Sequence, residues 1–484
     1  MAGLIIAADR SFAGKTTTTL ALLAYWQSLG LVVAPGKVGP DFIDASYLNH
    51  LANYPCANLD LWMHGPSGVA NIYQRMVGSA GMSPDICLIE ACMGLFDGGD
   101  GSAARLAKAL DLPLLLLLNV EGLAESARAL ASGYINLGLS IGLHFLGLVL
   151  TKVGSARHIE ILKKALQPYL ESLNLPLLGF LPKKDAPDLK SRHLGLVSVE
   201  ESAHLFQDER LISWLTSNVH VDALNGLLGI DCQAGSLKKP LAYRPDLDQG
   251  QALDRSRWPK AFFGATKAVL KLPSTAPTLA IAWDGAFSFC YADLPALLAE
   301  LGVRIVYFSP LSSKRLPECQ GVYLPGGYPE LYIERLANNF DLRDDLRKFA
   351  SSGHLIYGEC GGFIYLLESL TLTSGQTYPL TGLLPGRATL HKTRQALGYR
   401  YAKLVGHLVD FSCEISVRGH EFHYSDLSLT TSYPLPLWNI ESQMDTDFSG
   451  SEGLVSGRVG GSYLHLSTEG GRDFWQALAK TLKN

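Results

Sequence analysis

The sequence predicts an α/β protein built of two doubly wound domains in series. Three observations carry that prediction. Short apolar runs alternate with segments of helical length in both halves of the chain. A phosphate-loop pattern follows the first of these runs. A cysteine set between glycines follows a later one.

In the first half, residues 4–7, 31–33, 86–89, 114–118 and 146–150 read as strands, and 176–182 as one more. Residues 17–28, 123–133 and 199–213 read as helices. Such alternation implies right-handed crossovers and a parallel sheet. The run from Leu112 to Leu118 is apolar on both faces, as a strand covered on both sides requires. Residues 219–277 have no clear period and scattered Gly, Pro, Asp and Lys, which reads as a linker with some local structure. Strand candidates restart at 279–282, 303–308, 321–324 and 355–357, with helices at 294–301, 344–351 and 363–367. The expected division is 1–218, a linker at 219–277, and 278–484.

Composition excludes several classes. The 484 residues are 47% hydrophobic and 18% charged, which suits large cores. Net charge is -4 and no basic block stands out, so nucleic acid is not an expected partner. The eight cysteines form no Cys-x-x-Cys pair, which fits a reduced compartment rather than a disulfide framework or a zinc site. The first eight residues are apolar but have no basic region before them, so they do not read as a signal peptide. No apolar run reaches the ~20 residues needed to cross a bilayer. A cytoplasmic protein with no membrane partner is expected.

The phosphate loop runs from Asp9 through Arg10, Ser11, Phe12, Ala13, Gly14, Lys15 and Thr16, between a strand and a helix. That is the context such a loop needs to be P-loop NTPase-like. Backbone N–H groups from Ala13 to Thr17 can cradle phosphates, Gly14 allows close approach, and Lys15 offers a point charge. The Thr16 hydroxyl can ligate Mg²⁺. Asp9 stands where the usual pattern has glycine. Glu90 ends a strand and Asp97 follows in a Gly-rich loop, where a carboxylate can hold Mg²⁺ beside a triphosphate. Asp-Gly is also a common turn pair, so Asp97 has a structural alternative. Asp41 and Asp44 lie three residues apart after a strand, placed to bind metal or position a substrate.

Cys360 sits in Gly358-Glu359-Cys360-Gly361-Gly362 between an apolar strand and a helix. This is the cysteine form of a nucleophile elbow, in which glycines are needed because the tight turn has no room for Cβ atoms. The helix N-terminus is expected to favour the thiolate. His465 is the candidate base. Gly326 and Gly327, in Gly-Gly-Tyr-Pro-Glu after a strand, are candidate oxyanion donors.

Together with Gly398-Tyr399, Ser191–196 and the run Arg418-Gly419-His420-Glu421-Phe422-His423-Tyr424-Ser425, these segments resemble the cobyrinic acid a,c-diamide synthases over nearly the whole chain. That resemblance implies a dethiobiotin synthetase-like, ATP-binding amidoligase domain joined to a flavodoxin-like class I glutamine amidotransferase domain. It implies ATP and Mg²⁺, glutamine and a corrinoid carboxylate as small-molecule partners, in cobalamin biosynthesis, with room for a homodimer. Residues matching Asp41, Phe42 and Ile43 would line the corrinoid side, and those matching Glu90 and Asp97 would serve metal and intermediate. Arg192 and His193 would touch substrate or nucleotide, or be structural. Ser467 stands where related amidotransferases carry a Glu two residues after the His, which implies a Cys360–His465 dyad. Ala8, Phe12 and Asn119 depart from the family's residues, and Phe12 is expected to narrow the phosphate loop. A sister tetrapyrrole substrate such as hydrogenobyrinate would leave the chemistry unchanged. A P-loop regulatory ATPase with an inactive amidotransferase-like domain is the reading of a different class.

Overall fold

The computed structural model describes residues 2–52, 54–78, 84–184, 186, 191–192, 195–196, 208–230, 272–273, 275–410, 413–431, 435–442 and 449–483. They fall into two compact units. The first runs to residue 230 without 63–65, and the second comprises 63–65 and the residues from 272 onward. No helix among the described residues is long and apolar enough to cross a membrane.

In the first unit, strands β1 (Ala2–Ala8), β2 (Val33–Val38), β3 (Ala57–Leu59), β4 (Ile86–Glu90), β5 (Leu114–Asn119), β6 (Phe145–Val153) and β7 (Leu177–Pro182) form one sheet in the order β3-β2-β4-β1-β5-β6-β7. Every pairing in it is parallel. The helices between them are α1 (Lys15–Ser28), α2 (Phe42–Ala52), α3 (Leu61–Gly78), α4 (Ala103–Leu110), α5 (Ala127–Ser140) and α6 (Ala156–Ser172). The five leucines of β5 are fully buried because helices cover both faces of a parallel sheet.

The second strand departs from expectation. Residues 31–33 were the predicted strand, but β2 begins at Val33 and passes through Pro35 and Gly36 to Val38. Proline in an interior strand breaks the usual rule. Here the parallel ladders with β3 and β4 on either side decide, and they place Lys37 opposite Glu90. The expected helix at 199–213 is described only as α7 (Asp208–Thr216), with its earlier part outside the described residues.

The start of the expected linker also differs. Helix α8 (Val221–Leu227) belongs to the first unit. Its Asn225 accepts a hydrogen bond from Trp26 Nε1 (2.8 Å) and donates one to the Tyr25 hydroxyl (3.2 Å). The all-round apolar face of α1 thus ends against a buried amide that satisfies the indole. The rest of the expected linker, residues 231–271, lies outside the described residues.

The second unit is centred on strands β10 (Thr278–Ala282), β11 (Arg304–Phe308), β12 (Gly321–Leu324), β13 (Leu355–Glu359), β22 (Leu454–Ser456) and β23 (Val459–Ser462). Their order is β11-β10-β12-β13-β23-β22, parallel except for the last pair. Helices α9 (Leu294–Glu300), α10 (Ile333–Asn338), α11 (Phe340–Ser351), α12 (Gly361–Leu366) and α13 (Arg472–Thr481) accompany it. A short pair in the first unit supplies β8 (Ser191–Arg192) and β9 (Gly195–Leu196).

Two further sheets were not foreseen. One joins β14 (Ser369–Thr371), β15 (Thr377–Pro379), β16 (Gly386–Leu390) and β19 (Ser425–Leu429). The other joins β17 (Ala396–Leu404), β18 (Ser416–His423), β20 (Trp438–Ser442), β21 (Ser449–Glu452) and β24 (His465–Leu466).

Asn225→Ala should lower stability by about 1–3 kcal/mol, because it leaves the Trp26 N–H buried without its acceptor. Thermal unfolding of the two proteins at one pH checks this. An unchanged Tm would show that α8 does not contribute to the first unit's stability.

Candidate active sites

Each unit brings its candidate residues to the carboxyl ends of parallel strands, where open α/β sheets bind ligands. In the first unit the chain leaves β1 at Ala8, turns through residues 9–14, and enters α1 at Lys15. Gly14 takes φ 90° there, a conformation that an L side chain rarely adopts. Ala13 is buried, while Gly14, Thr16 and Thr17 are half-buried on the loop and first helical turn. The Lys15 ammonium donates to the carbonyl oxygens of Arg10 (3.0 Å) and Met93 (2.5 Å). Burial, and then Lys37, lower its pKa from the ordinary lysine value.

Asp9, the departure from the usual loop, is a buried brace. Its carboxylate accepts from the Asn119 N–H (3.0 Å) at the end of β5 and from Arg10 Nε. Phe12 does not narrow the loop. At φ 59° its side chain turns outward and is 90% exposed, so that expectation is corrected. The backbone reversal, which a non-glycine residue enters only with strain, sends the ring away from the loop's interior.

Sequence reasoning missed Lys37. It lies on β2, is almost fully buried, and donates to Glu90 Oε1 (2.9 Å) and Asp44 Oδ2 (2.5 Å), with Asp41 Oδ2 at 4.0 Å. Burial alone would lower its pKa, but Glu90, Asp44 and Asp41 hold it well above the ordinary value. Burial and Asp44 raise Asp41 to about 6. Burial likewise raises Glu90, against the pull of Lys37. A charged residue inside an apolar strand was the available signal. The expected strand stopped at residue 33, so Lys37 fell outside it.

Thr16 Oγ donates to the same Glu90 Oε1 (2.7 Å), so the phosphate loop and the end of β4 meet as expected. Glu90 Oε2 is buried and has no hydrogen-bond partner among the described residues. An open carboxylate oxygen beside the Thr16 hydroxyl fits the hard, oxygen-seeking Mg²⁺ that accompanies a nucleotide. Among the described residues no group of three His, Cys, Asp or Glu side chains is placed to hold a metal alone. Phosphate oxygens and water would have to supply the remaining ligands, as is usual for Mg²⁺. Asp97 is exposed, and its carboxylate accepts from the Gly94 N–H (3.0 Å), which is a turn contact.

Asp41, Phe42 and Ile43 form the start of α2 at the carboxyl end of β2, all three half-buried. Asp41 Oδ1 accepts from the N–H groups of Ile43 (2.9 Å) and Asp44 (3.1 Å), which caps the helix. Asn58 fixes this corner by donating to the carbonyls of Gly39 (2.8 Å) and Asp41 (3.0 Å). The side chain of Arg192, and His193 entirely, lie outside the described residues.

In the second unit Cys360 has φ 46° and ψ -104°, and its N–H donates to the Ser462 carbonyl (2.7 Å). The close approach foreseen for the elbow is present. A Cβ on Gly362 would lie 1.9 Å from the Leu324 carbonyl oxygen. A Cβ on Gly326 would lie 2.3 Å from His465 Cε1, so the Gly326–Gly327 turn runs directly against the candidate base. Cys360, His465, Gly326 and Gly327 are thus gathered at one end of the sheet formed by β12, β13 and β23.

The elbow's electrostatics differ from the expected thiolate. Burial, then Glu330, push the Cys360 thiol well above its ordinary pKa, and the six-residue α12 does not reverse this. Burial, then His420 and His423, hold His465 well below the ordinary imidazole value. The resting pair is therefore a neutral thiol and a neutral imidazole. His465 stacks on His420, with ring centroids 4.9 Å apart. Its Nδ1 lies 3.9 Å from Glu359 Oε2.

A P-loop-like turn in one unit and a cysteine elbow with a candidate base and a candidate oxyanion turn in the other fit a nucleotide-dependent, glutamine-using ligase. Comparison with protein families agrees. Residues 4–197 match the CobQ/CobB/MinD/ParA nucleotide binding domain, and residues 278–472 the CobB/CobQ-like glutamine amidotransferase domain. The cobyrinate a,c-diamide synthase of Synechocystis is 35% identical over 96% of this chain and 89% of its own length. That of Methanosarcina barkeri is 31% identical over 99% and 96%. The hydrogenobyrinate a,c-diamide synthase of Brucella abortus is 33% identical over 96% and 98%. The chain belongs to the cobyrinate/hydrogenobyrinate a,c-diamide synthase family.

Lys37→Met should destabilise the first unit by about 3–5 kcal/mol, because it leaves Glu90 and Asp44 buried without their counter-charge. Without Lys37 to pull it down, the Glu90 carboxyl would ionise only at raised pH. The deficit relative to wild type should therefore shrink as pH falls and Glu90 protonates. Denaturant unfolding at pH 5 and pH 8 measures this, and an equal deficit at both would contradict the charge account.

Proposed function

We propose that this chain converts the a and c side-chain carboxylates of cobyrinate into carboxamides, consuming ATP in the first unit and glutamine in the second. The observation that carries the proposal is the presence in one chain of two complete sets of groups. One is Lys15, Thr16 and Glu90 around the phosphate loop. The other is Cys360, His465 and the Gly326–Gly327 turn.

A carboxylate is a poor electrophile, and phosphorylation gives it a leaving group. Backbone N–H groups from Ala13 to Thr17 and the Lys15 ammonium hold the β and γ phosphates of ATP in this reading. Lys15 then exchanges its two carbonyl partners for phosphate oxygens. Mg²⁺, held by Thr16 and Glu90 with Asp97 nearby, would supply charge neutralisation. Asp41, Phe42 and Ile43 present the corrinoid carboxylate to the γ phosphate. Ammonia then displaces phosphate from the acyl phosphate.

That ammonia comes from glutamine. Cys360 Sγ attacks the carboxamide carbon while its proton passes to His465. The N–H groups of Gly326 and Gly327 take the oxyanion. The imidazolium protonates the departing nitrogen, and water hydrolyses the thioester to glutamate.

The hydrogenobyrinate-acting relatives support a second substrate, the same macrocycle without cobalt. Mass spectrometry of products from cobyrinate and hydrogenobyrinate, each with ATP, Mg²⁺ and glutamine, discriminates the two. A mass change corresponding to two carboxamides is expected. Cys360→Ala should abolish glutamine-driven synthesis and spare the ammonia-driven reaction, whereas Lys15→Ala should abolish both. Equal glutamine hydrolysis by wild type and Cys360→Ala would show that Cys360 is not the nucleophile, and absence of glutamine hydrolysis in wild type would leave the regulatory-ATPase reading in its place.

A further inference from the structure

Resting on the amidotransferase reading of the second unit, we infer that Glu359 is the carboxylate that positions and charges His465, so that the site is a triad drawn from an unexpected place. Ser467, two residues beyond His465, has no carboxylate to offer. Glu359 directly precedes the nucleophile at the end of β13 and is buried with His465. The two side chains approach within 3.9 Å, Oε2 to Nδ1.

The rest of its surroundings hold Glu359 still. Tyr323 on β12 donates its hydroxyl to Oε2 (2.8 Å). The Tyr357 hydroxyl (3.1 Å) and the Leu466 N–H (3.2 Å) donate to Oε1. Leu466 adjoins His465 on β24, so one carboxylate is hydrogen-bonded to the backbone of that strand and lies 3.9 Å from its imidazole. The elbow points successive residues to opposite sides. Cys360 Sγ lies 3.9 Å from the Phe422 carbonyl oxygen on β18, whereas the Glu359 carboxyl lies 3.9 Å from His465 Nδ1.

When His465 takes the Cys360 proton, a positive charge forms in a buried site with His420 and His423 as its other neighbours. A neutral imidazole offers no counter-charge, whereas a carboxylate 3.9 Å from Nδ1 does, as in acyl-transfer triads. The proton moves from sulfur to the imidazole and then to the departing nitrogen. Glu359 accepts no proton and acts only through the ring.

Other ionisable groups facing this pair are Tyr323 from β12, Tyr357 from β13, Cys290, Cys360 and, by its charge on Tyr357, Glu452. Burial raises Glu359 to about 8, against its hydrogen bonds from Tyr323, Leu466 and Tyr357. The carboxylate form is therefore gained as pH rises through that value. Glutamine hydrolysis should rise with it.

The test measures glutamine hydrolysis by the full chain, with ammonia-driven synthesis as the control for folding. Glu359→Gln should lower kcat by about 10²–10⁴-fold with KM changed less than about 3-fold, because the loss falls on a charge formed in the transition state. Its kcat/KM should no longer rise with pH through the region near 8. Glu359→Asp should recover part of the loss. Tyr323→Phe keeps the ring and removes one donor, and should move the pH limb upward. Wild-type kcat and pH profile in Glu359→Gln would overturn the inference. So would equal losses in the Gln and Asp variants together with lost ammonia-driven synthesis, or an unmoved limb in Tyr323→Phe. Activity retained in Cys360→Ala would instead sink the amidotransferase reading itself.

Discussion

The hydrogen bond from the Cys360 N–H to the Ser462 carbonyl is the interaction on which the second unit's chemistry depends. It ties the end of β13 to the end of β23 at the place where φ turns positive and the nucleophile must leave the sheet. The same tie fixes where β23 ends, and His465 follows three residues later. Gly362 admits the turn only because its missing Cβ would otherwise strike the Leu324 carbonyl. The candidate nucleophile and candidate oxyanion turn are therefore placed by backbone contacts at the ends of β12, β13 and β23, and His465 follows on β24, which pairs with β18.

The first unit solves a different problem, since it must hold like charges together where phosphates will gather. Glu90, Asp44 and Asp41 converge on the single buried ammonium of Lys37. Removing one carboxylate would be tolerated better than removing the lysine, because the former lessens the excess of negative charge and the latter removes the cluster's one counter-charge. Lys37 also draws Glu90 Oε1 toward itself and Thr16, leaving Oε2 open. The arrangement thereby joins the start of α1, the end of β4 and the corner before α2 through one set of hydrogen bonds and ion pairs.

Most of the parallel strands of both units were legible in the sequence because each is a short apolar run bounded by turn residues, whereas the three-residue β3 was not. The elbow was legible because glycine and cysteine at that spacing have few other uses. What escaped had specific causes. β2 was hidden by Pro35 and Gly36, whose breaking tendency two neighbouring ladders override, and Lys37 was lost with it. The two smaller sheets escaped although β17 carries the alternation that marks a half-buried strand, with Ala402 and Leu404 buried and Tyr401 and Lys403 exposed. Phe12 was read for its bulk, but the sign of its φ decides where that bulk goes. Glu359 was quoted within the elbow motif and given no role, because nothing in a linear sequence shows that a residue beside Cys360 lies behind His465.

The neutral resting state of Cys360 and His465 changes where catalysis must come from. A preformed thiolate would carry reactivity into every encounter, including those with water-borne oxidants. In the proposed reaction a buried neutral thiol gains its nucleophilic form as the proton moves to His465, and that transfer creates a cation and a developing oxyanion in a buried site. Both charges then need partners already in place, since reorganisation in such a site is slow and costly. The N–H groups of the Gly326–Gly327 turn face one charge and the carboxyl of Glu359 stands behind the other. On this account the elbow supplies position, and the groups around it supply the stabilisation that a depressed thiol pKa supplies elsewhere.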